Sequence, residues 1–162
     1  MITNYLQPAS FTVTIKRLPN VQFFTQRALL PALVMTPVER GSPLSSLYST
    51  PDRVSYSDFD LGFVVDENMN NYIEVFRWME SMGSSESLSQ YKNLQDAEDG
   101  VKSDISIVVN NNHKNPNIKF TMINCFPISL SSISLSAATQ DIQYPECTAT
   151  FRYDYFTIEK IS

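Results

Sequence analysis

The sequence predicts a mainly β protein: a β-sandwich or barrel of about seven strands with one flanking α-helix. Three observations lead to this prediction. Apolar and polar residues alternate through much of the chain, which is typical of strands with one buried face. Prolines and short polar turns separate these stretches. Apolar residues follow helical spacing only between residues 66 and 83, and one helix is enough to cover an open face of a β-sheet.

Length and charge set limits on this fold and on its partners. A chain of 162 residues with 43% hydrophobic residues can form one domain over 1–162 with its own core, and is too short for two. The net charge is −5 and the basic residues form no cluster, which argues against tight binding of nucleic acid. No stretch resembles a signal peptide or a membrane span, so we expect no membrane partner.

A β-hairpin is predicted at the start of the domain. Residues 11–15 alternate between apolar and polar side chains and form the first strand. The Pro-Asn pair at 19–20 then predicts a turn, and residues 21–30 are interpreted as the returning strand.

The next segment, residues 31–52, is predicted to be a long loop without regular structure. It contains four prolines, and prolines at that frequency remove the donors that a β-ladder needs. The segment also carries apolar side chains, which we expect to meet another subunit rather than water. The candidate contacts here are Leu33, Met35, Leu44, Leu47 and Tyr48.

A strand and the single helix follow. Residues 59–65 place their apolar side chains on one face, and the opposite phase of residues 54–56 predicts a bend near Ser57. Asp66 is expected to be the N-cap of the helix and Gly83 to stand at its C-cap. The apolar stripe of the helix consists of Met69, Tyr72, Ile73, Phe76 and Met79.

Trp78, the only tryptophan, is offset from this stripe, and two interpretations stay open. It is either an additional core anchor or a contact with an outside partner. After the helix, residues 83–103 are polar and acidic and predict a second long loop with a short helical turn. Leu88 and Tyr91 are its candidate contacts with other subunits.

Four further strands are predicted in the C-terminal part, at 103–111, 117–125, 127–137 and 146–160. A polar, Asn-rich segment joins the first two as a hairpin turn. The last strand is expected to place five side chains on one face, with a change of phase at Phe156. These side chains belong to Cys147, Ala149, Phe151, Tyr153 and Tyr155.

No catalytic, cofactor-binding or metal site is predicted, and the chain is not expected to be an enzyme. The single histidine, His113, lies in a polar turn. Cys125 and Cys147 lie in strand-like stretches and are interpreted as buried small side chains rather than as a disulfide. One histidine and two separated cysteines do not form a recognised zinc cluster. A cysteine-dependent enzyme would require one of the two thiols to be exposed and reactive.

Three segments, in this order and spacing, resemble a known family. They are "LGFVVDENMNNYIEVFRWM", "SDISIVVNNNHKNPNIKFTMINCFPISLSSISL" and "CTATFRYDYFTIEK", and they cover most of the chain from about Ser57 to Lys160. Together they resemble the tail tube family of contractile-tailed bacteriophages, the myoviruses. The resemblance is closest to the tail completion or tube terminator members of that family.

The resemblance implies a homo-hexameric ring in which each subunit gives strands to a shared β-barrel around a channel. The ring would complete or terminate the tail tube and contact the adjacent tube ring and other tail or neck proteins. Genomic DNA would pass through it without specific binding. The expected location is the tail of the virion, after assembly in the host cytoplasm.

Three other functions stay open at this point. The chain could be the repeating major tail tube subunit or a baseplate tube-initiator protein, although it lacks the long N-terminal extension of the initiators. From a different class, it could be a monomeric β-sandwich binding module.

Overall fold

The structure is a computed structural model that describes residues 5–6, 8–83, 88–96, 100–137 and 143–161. These residues form three helices and eleven strands, mainly antiparallel β-structure. In chain order they are β1 (Phe11–Ile15), α1 (Pro19–Phe24), β2 (Thr25–Leu29), β3 (Leu33–Met35), β4 (Val38–Gly41), β5 (Ser46–Ser49), β6 (Val54–Tyr56), β7 (Phe59–Val64), α2 (Asn70–Gly83), α3 (Leu88–Asp96), β8 (Ser103–Asn110), β9 (Pro116–Leu130), β10 (Glu146–Arg152) and β11 (Tyr155–Lys160).

Two antiparallel sheets share the 15-residue strand β9. The first sheet has the order β1-β8-β9-β11 and uses the first part of β9. The second sheet has the order β9-β10-β7-β2 and uses the last part. Between the two parts, Asn124 adopts a positive φ of 58°, so the chain bends without leaving the sheet. The separate strands predicted at 117–125 and 127–137 are therefore one strand that ends at Leu130.

The predicted N-terminal hairpin is wrong. β1 pairs with β8, and β2 pairs with β7 in the other sheet. Helix α1 lies between β1 and β2, with Pro19 in its first turn, where a missing N–H costs nothing, and with Val21 fully buried. The Pro-Asn pair thus starts a helix that carries the chain from one sheet to the other.

The prediction of an irregular loop at 31–52 is also wrong. Residues 33–56, which we call the arm, form two short antiparallel ribbons, β3 with β6 and β4 with β5. The prolines at 31, 37, 43 and 51 all lie outside these strands. They separate the ribbons rather than prevent them, because a proline outside a ladder removes no hydrogen bond from it.

The core lies between the sheets and is mainly aromatic and aliphatic. The predicted buried face of residues 59–65 is confirmed, and it pairs across β10 with a second buried face. The predicted bend near Ser57 is confirmed by the gap between β6 and β7. The single strand predicted at 146–160 is divided at Asp154 into β10 and β11. Because of this break, Tyr153 is buried but Tyr155 is about half exposed and leaves the predicted face.

Helix α2 begins at Asn70, three residues later than an N-cap at Asp66 predicts, so Asp66 is not its N-cap. Met69 has a positive φ of 55°, and its N–H donates to the carbonyl of Asp66 at 2.8 Å. The buried side chain of Asn71 fastens this turn instead. Its Oδ1 accepts the N–H of Asp66 at 3.2 Å, and its Nδ2 donates to the carbonyl of Val64 at 2.7 Å. Gly83, the predicted C-cap, is the last residue of the helix that the structure describes.

The buried face of α2 differs from the predicted stripe. Val75 and Trp78 are buried, whereas Phe76 is half exposed. Helix α3 occupies part of the segment predicted as a loop at 83–103. Its residues are mostly polar, so no strong apolar stripe marks it in the sequence.

Candidate subunit interface

The described residues hold no group of three or more side chains that could bind a metal ion. Cys125 and Cys147 are free and buried, as predicted, and burial raises the pKa of the Cys125 thiol to about 12. His113 lies exposed in the turn after β8. The exposed thiol that a cysteine-dependent enzyme would require is found at neither Cys125 nor Cys147. No helix in the described part of the chain is long and apolar enough to cross a membrane.

The arm exposes a large amount of apolar surface. Five of its exposed residues are the predicted contacts, of which Leu44 at the tip is 97% exposed. The other three are valines, which were not named among the candidate contacts. The exposed large apolar side chains of the arm are Leu33, Val34, Met35, Val38, Leu44, Leu47, Tyr48 and Val54.

The base of the arm is firmly attached to the body of the protein. Ala32 N–H donates to Ser57 Oγ at 2.7 Å, and Ser57 N–H donates to the Ala32 carbonyl at 3.0 Å. The hydroxyl of Tyr153 donates to the Ser57 carbonyl at 2.8 Å. The Tyr56 ring packs edge-on against Tyr153 and Phe156, with centroid distances of 6.0 and 5.5 Å. The arm is therefore held where β10 gives way to β11.

Among the described residues, the outer part of the arm has no such support. β4 and β5 pair through four positions, with Glu39 opposite Tyr48 and Arg40 opposite Leu47, and every residue of β4 is exposed. A two-stranded ribbon alone is marginally stable in water. Contiguous exposed apolar surface in a soluble protein usually marks an interaction site. The arm therefore has the properties of a subunit contact.

Trp78 does not belong to this surface. It is 3% exposed, and its Nε1–H donates to the Val101 carbonyl at 3.1 Å. Its ring packs against Phe151 at 6.2 Å, and the Arg17 guanidinium lies 5.1 Å from the ring centroid. Trp78 is a core anchor, and the interpretation as an outside contact is wrong. Its face of the helix turns inward together with Val75.

The two remaining candidates, Leu88 and Tyr91, lie on α3. This helix packs against α2 and is not part of the arm. Tyr91 is exposed. The side chain of Leu88 lies outside the described residues. The structure thus gathers five of the eight predicted contacts on the arm and separates the other three from it.

A second feature was not predicted: both outer strands of the first sheet are paired on one side only. β1 pairs with β8 and β11 pairs with β9, and no other described strand pairs with either. Exposed apolar side chains lie near both edges, Phe23 beside β1 and Ile158 on β11. Unpaired edges are templates for another strand. The pattern of a single strand cannot reveal them, because pairing depends on distant parts of the chain.

A fold of two sheets with an exposed arm can now be compared with known proteins. A family model described as phage tail tube protein matches residues 3–159. The chain belongs to the phage tail tube protein family. This tail tube protein is therefore a structural protein, and the resemblance found in its sequence is confirmed. A comparison with curated protein sequences finds no match.

Solved structures with the same fold come from contractile injection systems. A chain of the anti-feeding prophage tube-terminating cap has 18% identity and a TM-score of 0.69, over 99% of this tail tube protein and 94% of that chain. A chain of the anti-feeding prophage baseplate has 13% identity and a TM-score of 0.68, over 98% of this tail tube protein and 97% of that chain. A chain of the sheath/tube terminator of PVC, an extracellular contractile injection system, has 15% identity and a TM-score of 0.63. The match covers 98% of this tail tube protein and 99% of that chain.

Proposed function

We propose that this tail tube protein forms a homo-hexameric ring that completes or terminates the tube of a contractile phage tail. The observation that carries the proposal is the arm, whose apolar side chains have no partner within the described chain and need one in an assembly. The fold likeness to the tube-terminating cap of the anti-feeding prophage supports the terminal position. The ring belongs in the virion tail, after assembly in the host cytoplasm.

In such a ring the arm reaches a neighbouring subunit, the adjacent tube ring or another tail or neck protein. Its tip carries Leu44, Leu47 and Tyr48, which are exposed on a ribbon that the body supports only at its base. Burying these side chains against a neighbour would give a favourable apolar contribution and order the ribbon at the same time.

In a shared barrel, one face of the first sheet of each subunit would line the channel. One face of the first sheet packs on the core of its own subunit, so the opposite face would line the channel. The charged residues that the four strands place on this face are Asp104, Lys119 and Glu159, and Lys119 lies opposite Glu159. A lining with a slight excess of negative charge and with Thr and Ser side chains would let DNA pass without binding it.

The second candidate is the repeating major tail tube subunit of the same family. A chain of the PVC sheath–tube complex supports it through fold likeness, with a TM-score of 0.63 and 16% identity. The baseplate chain described above supports a tube-initiator role in the same way. These roles differ in stacking: a terminal ring stays single, whereas a repeating subunit forms tubes.

Negative-stain electron microscopy of the purified protein over a concentration series tests the proposal. Six-fold rings that do not stack are the expected result, and long tubes would move the assignment to the repeating subunit. Persistent monomers would overturn the ring and favour the binding module. The double variant Leu47→Asp/Tyr48→Asp should lose the assemblies while keeping the far-UV circular dichroism of the parent. Asn112→Asp, an exposed change in the turn between β8 and β9, is the control and should assemble normally.

A further inference from the structure

The free edge of β1 offers only two residues for pairing. Asn110 N–H donates to the Ser10 carbonyl at 3.0 Å, so the alternation of an antiparallel ladder directs residues 12 and 14 to β8 and residues 11, 13 and 15 outward. The backbone N–H and carbonyl of Ile15 already have hydrogen-bond partners. Its N–H donates to Gln22 Oε1 at 3.0 Å, and its carbonyl accepts the N–H of Leu18 at 3.3 Å.

Phe11 and Val13 therefore carry the open backbone groups of this edge. Both residues line a groove of about 390 Å³, and side chains of α1, including Gln22 and Phe23, form its other wall. The side chain of Val13 is buried in the core, so only its backbone faces the groove. The groove lies beside the open backbone groups of β1, and pairing would end at Ile15, whose backbone N–H and carbonyl already have partners.

The opposite edge of the same sheet offers matching groups. Ile161 N–H donates to the Asn117 carbonyl at 2.8 Å, so residues 155, 157 and 159 point to β9 and residues 156, 158 and 160 point outward. β11 is exposed along most of its length, and Ile158 is 60% exposed. β11 thus has an open edge that β1 of a second copy can meet.

Direction and face agree as well. Each neighbouring pair in the order β1-β8-β9-β11 is antiparallel, so β1 and β11 run in opposite directions. β11 of a second copy placed beside β1 would extend the sheet as another antiparallel pair. The open residues of both edges carry core-facing side chains, since Phe11 and Phe156 both pack against the core. The joined sheet keeps one apolar face.

We propose that β11 of a second copy pairs with β1 with Phe11 opposite Ile158 and Val13 opposite Phe156, and that Gln22 fixes this register. A shift of two residues would place Phe156 opposite Ile15. The backbone groups of Phe156 would then be buried without partners, because Gln22 and Leu18 already hold those of Ile15. The opposite shift would leave Val13 unpaired. The proposal rests on the ring proposed above and names its contact residues.

Disulfide formation between copies tests the register. Thr12 and Thr157 are exposed, and in the proposed register they face each other in a non-hydrogen-bonded pair with Cα atoms about 4.5 Å apart, within the range for a disulfide. Thr12 and Glu159 face each other only after the two-residue shift. The native thiols do not compete, because both are buried. Assembled Thr12→Cys/Thr157→Cys should form cross-linked oligomers on non-reducing gels. Thr12→Cys/Glu159→Cys should form at least about tenfold less of the cross-linked oligomers.

Gln22 is tested in the same background. Gln22→Ala frees the Ile15 N–H and should let the Thr12→Cys/Glu159→Cys pair cross-link, whereas Gln22→Glu keeps an acceptor oxygen and should preserve the preference. Rings that cross-link the two pairs equally, or neither pair, overturn the pairing and leave the ring in place. An unchanged pattern in Gln22→Ala overturns the role of Gln22. Monomers at every concentration overturn the ring and the pairing with it.

Discussion

The body of the protein and its arm use the same residue types for opposite purposes. Leu61 in β7 is fully buried, with Phe59 and Phe63 beside it, while Leu44 at the tip of the arm is 97% exposed. Both lie in β-rich segments with similar apolar content. In the body, apolar side chains stabilise the fold of a single chain by leaving water. In the arm they are exposed to water in the single chain, and in the proposed ring they would contribute to assembly rather than to folding.

Matched leucine substitutions give the largest expected difference between the two regions. Leu61→Ala removes buried volume and should lower the free energy of unfolding by about 2–5 kcal/mol. Leu44→Ala removes an exposed side chain and should change it by less than about 0.5 kcal/mol. Urea denaturation of the unassembled chain measures both. A large loss of stability in Leu44→Ala would show that the arm belongs to the folding unit, contrary to the comparison.

A polar anchor of the body gives the next effect. Asn71 is buried and forms hydrogen bonds to the backbone of Asp66 and Val64. Asn71→Ala removes the side-chain partner of the partly buried Asp66 N–H and Val64 carbonyl and should lower the free energy of unfolding by about 1–3 kcal/mol. Asn112→Ala, in the exposed hairpin turn, is the matched control and should have little effect. Equal stabilities of the two variants would contradict the proposed role of Asn71 at the start of α2.

The smallest effect is a dependence of stability on pH that belongs to the body. Burial raises the pKa of Cys125 from 9.0 to about 12, so the folded chain keeps a proton that the unfolded chain loses above pH 9. This contribution is complete below pH 9. It should decrease between about pH 9 and 12, by about 1.4 kcal/mol per pH unit. Urea denaturation at about pH 8 and pH 10 measures it, and Cys125→Ala should reduce the slope. An unchanged slope in Cys125→Ala would contradict this assignment.

The local pattern of the chain was enough to predict its class and the buried faces of most strands. The face of residues 59–65, the bend at Ser57 and the burial of both cysteines depend on neighbouring residues, and all three are confirmed. The N-terminal hairpin failed because β1 and β2 are close in sequence but belong to different sheets. The choice of β8 for β1, about ninety residues later, is decided by the packing of the whole core.

The exposed apolar surface of the arm was predicted in part for the same reason. Apolar residues between prolines indicated exposure, and five of them lie on the arm. Trp78 was ambiguous because the rotation of α2 is set by Asn71 and the turn at Met69, which shift the start of the helix. The open edges of β1 and β11 required the complete pairing scheme, since the partners of each strand are distant in the sequence.

The shared strand β9 has a mechanical consequence. Because one continuous strand of 15 residues passes from the first sheet into the second, a force that shears one sheet against the other acts on covalent backbone at the bend as well as on side-chain packing. The bend itself is braced: Asn124 N–H donates to Asp104 at 2.9 Å, and its side-chain amide donates to Asp154 at 2.7 Å. The two layers of each subunit therefore move as one stiff unit, and a load applied to either layer is transmitted to the other.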